Sequence, residues 1–281
     1  MVRSIAVLGA GTMGHGVAHA AAASGFDTRL YDVSDAQATK ARATIDGILR
    51  KAVELGKATA AEADAAMARL VTTSDVAAAL EGADLVIETA PERMDIKMQL
   101  FAAIDAHAPA GAVVASNTSA LSITEMAGTL KDPSRVAGMH FFNPVHKMKL
   151  IEIVRALESS DRALETIEAV ARQMGKETVL VREAPGFITT RVNASIGNEA
   201  FYMLMEGVAS ARDIDKALKL GLNHPMGPFE LVDLVGLDTR LSILEYLHKS
   251  MGEKYRPCPL LSQYVKAGRL GKKVGKGVYD Y

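Results

Sequence analysis

The chain has 281 residues, more than one small module needs and consistent with two domains. Hydrophobic residues make up 49% and charged residues 23%, an ordinary globular balance with enough apolar side chains for a core. The formal net charge of -1 gives no whole-molecule argument for nucleic acid or a membrane surface, and no apolar run is long enough to cross a bilayer.

At the N-terminus, Ile5–Leu8 is a short apolar run. It is too short for a signal peptide and stops at Gly9-Ala10-Gly11-Thr12-Met13-Gly14. Small residues from Met13 to Ser24 predict a helix ending at Gly25. Thr28 to Asp32 predicts a second strand closed by a carboxylate. Strand, glycine turn, helix and strand give the Gly9-x-Gly11-x-x-Gly14 spacing its meaning. Gly9 permits the tight turn, Gly11 leaves room for a pyrophosphate, and Gly14 lets the helix pack on the strand. The helix start, with Thr12 and Met13, offers N–H groups to the phosphates. Asp32 follows the glycines by about 20 residues, where a carboxylate binds the adenosine ribose and repels a 2′-phosphate; this selects NAD over NADP. The plainer alternative is a cap on the next turn, with Ser34 and Asp35.

Asp35 to Ala68 has helical spacing broken at Gly56, which predicts an antiparallel hairpin. Leu85–Glu88 is a strand, Asp95–Ala106 a helix and Ala112–Ser116 a strand. Ser122-Ile123-Thr124-Glu125 reads as a capping box. Strands follow at Val136–Phe142, Leu150–Val154 and Thr178–Val181. This alternation predicts a mostly parallel sheet covered on both faces: an α/β, Rossmann-type doubly wound fold over residues 1–184. Beyond Glu183-Ala184-Pro185-Gly186 the strands stop. Ile196, Ala200, Met203, Leu204 and Val208 recur at helix spacing, as do residues in Leu231–Leu247, so 185–281 is expected to be all-helical. Its first helix is apolar on more than one side, which suggests a partner surface. The lone Cys258, between Pro257 and Pro259, cannot form an internal disulfide and has no base beside it in sequence. It reads as inert, in a reducing cytoplasmic setting.

A dehydrogenase that removes hydride from an alcohol needs a group to take the hydroxyl proton, and histidine suits this near neutral pH. Of seven histidines, His15 and His19 lie on the cofactor helix, and His107, His146, His224 and His248 lie in turns or on helix surfaces. His140 lies in an apolar strand, whose end in such sheets lines the ligand crevice. Taken alone, it reads as a core histidine with a satisfied hydrogen bond. Glu152 changes the balance. It sits in the next apolar strand, where an unpaired carboxylate is costly and a neighbouring imidazole would satisfy it. Such a pair also fixes the tautomer and raises the basicity of the ring.

With these residues in view, the sequence resembles the 3-hydroxyacyl-CoA dehydrogenase family, most closely its short bacterial members acting on 3-hydroxybutyryl-CoA. The resemblance is carried by the glycine loop, Ser116-Asn117-Thr118-Ser119, His140-Phe141-Phe142-Asn143-Pro144, Pro185-Gly186-Phe187-Ile188 and His224-Pro225-Met226-Gly227-Pro228, and runs to Gly275-Lys276-Gly277-Val278-Tyr279. It implies His140 as base, Glu152 as its orienting partner and Ser119 as a hydrogen bond to the reacting oxygen. Asn117, Glu92 and Lys97 would line the nicotinamide and its ribose. Asn143 would meet the substrate, and Lys51, near Arg50 and Lys57, the phosphates of coenzyme A. The resemblance implies no metal, and it implies a homodimer formed through the helical domain. One position departs from the pattern. The family often has asparagine where this chain has Thr190, whose hydroxyl is shorter and lacks the amide's two donors. Plainer readings stand beside these: Lys97 and Lys51 as solvated helix residues, and Ser119 as part of a turn. Two other functions stay open, dehydrogenation of a hydroxy acid without coenzyme A, such as a sugar acid, and a non-enzymatic NAD-binding protein.

Overall fold

The first strand, β1 (Ser4–Leu8), is buried along its last four residues and runs into the glycine loop, where α1 (Thr12–Ala23) starts. In the computed structural model, which describes residues 1–281, the chain divides into two compact units, Met1–Glu183 and Ala184–Tyr281. The first unit continues with β2 (Asp27–Tyr31), then the hairpin of α2 (Asp35–Glu54) and α3 (Ala60–Arg69). The break falls at Gly56, with φ of 67°, and α3 is held by a Thr59/Glu62 capping box. Next come β3 (Leu70–Thr73), α4 (Val76–Leu80), β4 (Leu85–Glu88), α5 (Met94–His107), β5 (Val113–Ser116) and α6 (Ile123–Ala127). The unit closes with β6 (Val136–Phe141), β7 (Leu150–Arg155), α7 (Asp161–Gln173) and β8 (Glu177–Arg182).

These strands form one sheet of order β3-β2-β1-β4-β5-β6-β7-β8. Every pairing is parallel except β6 with β7. This is a doubly wound, Rossmann-type sheet, and its order reverses between β1 and β4, which opens a crevice at the strand C-termini. The central strands β4, β5 and β6 are buried at every residue, as expected of a sheet covered on both faces. The sequence reading passed over β3, α4 and α7. β3 is a half-exposed edge strand that follows α3 without a turn, so its four residues carry little periodic signal.

The second unit is helical: α8 (Thr189–Met205), α9 (Ala211–Gly221), α10 (Pro228–Val235), α11 (Leu237–Met251) and α12 (Pro259–Lys266) around Phe201, Phe229, Leu244, Leu247 and Leu261. The run Leu231–Leu247, read as continuous, is two helices. Gly236 adopts φ of 105°, which no helix tolerates, and divides it. Val208 falls beyond the end of α8 and is exposed. Two buried carboxylates tie down the C-terminal tail. Asp233 accepts from the Val278 and Tyr279 N–H groups, and Asp215 from the Tyr279 hydroxyl. No helix is long and apolar enough to cross a membrane.

Candidate active site

The glycine loop has the shape that its spacing predicts. Gly9 adopts φ of 107°, and a Cβ on Gly14 would lie 1.7 Å from the Gly9 carbonyl oxygen. Any larger residue at position 14 would therefore drive α1 off β1. Over Gly11 nothing lies within 4 Å, and as the N-cap it has no side chain to cap the helix. The first N–H groups of α1, from Thr12 onward, are thus capped by no side chain, which is the kind of helix start that suits a pyrophosphate. Asp32 directly follows β2 at the same edge of the sheet. Its carboxylate accepts from Ala10 N–H at 2.9 Å and from Ser34 N–H at 3.1 Å. It thus does cap the next turn, and it also ties that turn to the glycine loop. Half-buried, it leaves lone pairs free for ribose hydroxyls.

His140 and Glu152 are direct partners in the antiparallel β6–β7 register. Opposed residues in such a pair project to the same face with Cβ atoms about 5 Å apart, so the two side chains must meet. The His140 Nδ1 lies 2.7 Å from Glu152 Oε2, with Glu152 fully buried and His140 4% exposed. A carboxylate only accepts, so Nδ1 carries the proton and Nε2 keeps its lone pair. Ser119 Oγ lies 3.1 Å from Nε2 and donates to it. The Phe142 ring packs tilted against the imidazole, with centroids 4.6 Å apart.

Beside this lies a second charged cluster, only part of which the sequence pointed to. Glu88, fully buried at the end of β4, accepts from Lys97 Nζ at 2.8 and 3.0 Å, from Ser116 Oγ at 2.6 Å and from Ala90 N–H at 2.6 Å. Lys97 is therefore no solvated lysine; it is 1% exposed and also lies 3.5 Å from Glu92 Oε2. Glu92 Oε1 accepts from Thr118 Oγ1 and from the N–H groups of Ser119 and Ala120. Asn117 accepts from Phe141 N–H, which pins the same turn to β6 beside His140. Glu88 was missed, although the signal used for Glu152, a carboxylate in an apolar strand, was present there too.

The remaining expected residues are placed more loosely. Asn143 is exposed in the loop after β6. Lys51 is exposed on α2 and paired with Glu54, while Arg50 is paired with Asp46 and Asp64. Arg50 and Lys51 are thus already matched by acids. Thr190 lies in the first turn of α8 and is partly buried. The Ser122 box forms only in part: Ser122 accepts from Glu125 N–H, while Glu183 accepts from the Ser122 and Thr124 hydroxyls and from Thr124 N–H. Ser119 is not needed to start that helix. Cys258 is buried, its thiol pushed up by burial, as an inert residue would be.

The profile described as the 3-hydroxyacyl-CoA dehydrogenase NAD binding domain matches residues 4–184. That described as the family's C-terminal domain matches residues 186–281. The chain belongs to the 3-hydroxyacyl-CoA dehydrogenase family. Its first unit is the family's NAD-binding domain and its cofactor is NAD. The chain is 47% identical to a probable 3-hydroxybutyryl-CoA dehydrogenase of Bacillus subtilis, covering all of this chain and 98% of that protein. It is 43% identical to a 3-hydroxybutyryl-CoA dehydrogenase of Bradyrhizobium diazoefficiens, covering all of this chain and 96% of the other. The crystal structure of (S)-3-hydroxybutyryl-CoA dehydrogenase from Ralstonia eutropha superposes with a TM-score of 0.95 at 41% identity, covering all of this chain and 99% of that one.

Proposed function

We propose that this member of the family interconverts a short (S)-3-hydroxyacyl-CoA, 3-hydroxybutyryl-CoA foremost, with its 3-ketoacyl-CoA. The observation that supports the reading is the chain Glu152–His140–Ser119, at 2.7 and 3.1 Å. When bound, NAD supplies the acceptor for the C3 hydrogen as hydride. His140 Nε2 takes the proton of the 3-hydroxyl, Glu152 stabilises the imidazolium that results, and Ser119 holds the oxygen as it becomes a carbonyl. In reverse, the imidazolium returns the proton. Asp32 holds the adenosine ribose, the N–H groups at Thr12 and Met13 hold the pyrophosphate, and Asn117 and Glu92 stand at the nicotinamide side. Asn143 and Lys51 serve the substrate, Lys51 by leaving Glu54 for a coenzyme A phosphate. Thr190 stands in for the family asparagine, and two copies associate through the helical unit.

The test is NADH oxidation by acetoacetyl-CoA. His140→Gln is expected to cut kcat by about 10²–10⁴-fold with NADH binding unchanged. Lys51→Met is expected to raise KM for acetoacetyl-CoA and leave kcat alone. Full activity of His140→Gln, or faster oxidation of gulonate with NAD than of 3-hydroxybutyryl-CoA, ends the reading.

A further inference from the structure

Ser119 can serve His140 only if its turn is held still, and the contacts of that turn lead back to Glu88, a buried charge with no part in the reaction described above. We propose that Glu88 is a positioning residue: with Lys97 and Glu92 it fixes the Ser116–Leu121 turn so that the Ser119 hydroxyl meets His140 Nε2. The proposal rests on the reading of His140 and Ser119 as the reacting pair.

Each link has its own contact. Two carboxylates, Glu88 and Glu92, share the single ammonium of Lys97, at 2.8 and 3.5 Å. Lys97 is 1% exposed and also donates to the Ala90 carbonyl, so all its protons are directed into the protein. Held on Oε2 by Lys97, Glu92 turns Oε1 to the loop, where it accepts from the Thr118 hydroxyl at 2.6 Å, Ser119 N–H at 2.8 Å and Ala120 N–H at 3.1 Å. A second arm leaves Glu88 directly. Ser116 Oγ donates to it at 2.6 Å and accepts from Thr118 N–H at 3.2 Å. Leu121 N–H goes to the Thr118 hydroxyl. Four successive N–H groups, from Thr118 to Leu121, thus end on Glu92 or on hydroxyls that Glu88 and Glu92 orient.

A buried ion pair is a poor source of net stability, because desolvation offsets its Coulomb gain. It is a good device for fixing geometry, since the Glu88 carboxylate accepts four hydrogen bonds from three donors in fixed directions and cannot turn without abandoning one. Removing the Glu88 charge leaves Lys97 with Glu92 alone. The ammonium then moves toward Glu92, and the acceptor of the Ser119 N–H moves with it. Positioning errors near 1 Å cost about 10²-fold in rate.

The experiment is a double-mutant cycle on the full chain, with acetoacetyl-CoA reduction read for kcat and a fluorescence titration read for NADH affinity. Glu88→Gln keeps shape and removes charge. It is expected to lower kcat about 10²-fold while NADH affinity stays within about twofold. Ser119→Ala is expected to lower kcat by itself, and Glu88→Gln with Ser119→Ala to be no slower than Ser119→Ala alone. A merely structural Glu88 would multiply the two losses. Multiplied losses, or wild-type kcat in Glu88→Gln, overturn the proposal. Should Glu88→Gln fail to fold, Glu88→Gln with Lys97→Met removes both buried charges at once and enters the same cycle at saturating NADH, with the same expectations for kcat. Wild-type activity in both Ser119→Ala and His140→Gln would defeat the reading of the site itself, and this proposal with it. Activity lost in those two but not coupled to Glu88 defeats this proposal only.

Discussion

A serine hydroxyl has one proton, and at rest that of Ser119 points to His140 Nε2. It cannot at the same time donate to a substrate oxygen. In the reaction proposed above, the direction reverses once Nε2 holds the substrate's proton: Nε2–H donates to Ser119 and frees the hydroxyl proton for the new carbonyl. Under that proposal Ser119 supports the ketone more than the alcohol, and a second donor would seat the alcohol. Thr190, proposed above for that role in place of the asparagine that the resemblance implies, is tested by substitution. Thr190→Val is expected to lower kcat/KM for the hydroxyacyl substrate about tenfold, the worth of one neutral hydrogen bond, with Thr190→Asn at or above the parent. Equal turnover in all three proteins removes Thr190 from the site. His140 and Glu152 were legible as residues because each breaks an apolar strand at a cost that only a partner offsets. Lys97 came only through the family resemblance, because a lysine on a helix looks the same in sequence whether water or a buried carboxylate meets it.

Among the elements, strands were read well where their residues are wholly buried, as in β4, β5 and β6, and least well where an edge strand is half exposed, as in β3. The antiparallel turn of β7 against β6 was not read at all, yet that reversal sets His140 opposite Glu152. Register depends on how a strand returns, and nothing in Leu150–Val154 itself reveals its direction. Helix α8 shows the limit of burial arguments in another way. Its apolar residues do face more than one side. Ala194, Ala200 and Phe201 are in the core, while Val192 and Met205 are exposed at 52% and 44%. On α10, Leu234 and Val235 are exposed as well. Apolar surface gathered on the helices of one unit fits an association face. Sedimentation at micromolar concentration is expected to give a dimer, and Val192→Asp to shift it toward monomer. A wild-type protein that sediments as a monomer would remove the association proposed for these helices.

For the molecule as a whole, the charge near zero says little about pH, and the stability profile should follow a few buried groups instead. His19 on α1 is one. Its Nδ1 is buried with no hydrogen-bond partner, and its ring meets that of His146 edge-on with centroids 6.1 Å apart. Burial first, then the charges of His146, His15 and Lys176, lower its pKa from 6.5 to about 4. The folded state thus prefers the neutral ring, and the unfolded chain binds a proton that the folded chain refuses. The stability this represents is whole above pH 6.5 and is lost as pH falls toward 4. Two and a half pH units correspond to about 3 kcal/mol at most. His146 titrates in the same direction, lowered first by burial and then by Lys147, Lys176, His15 and Lys57, and Lys176 is itself lowered by burial while it holds the Val145 and Met148 carbonyls. Protonating His19 therefore sets like charges together against the loop that leads out of β6 from His140. Urea melts at pH 7.5 and pH 4 should show the wild type losing about 3 kcal/mol more than His19→Leu, which has no proton to gain. The activity of the wild type should fade over the same interval with the loop. Parallel losses in the two proteins would mean that His19 titrates in the folded chain as it does in water.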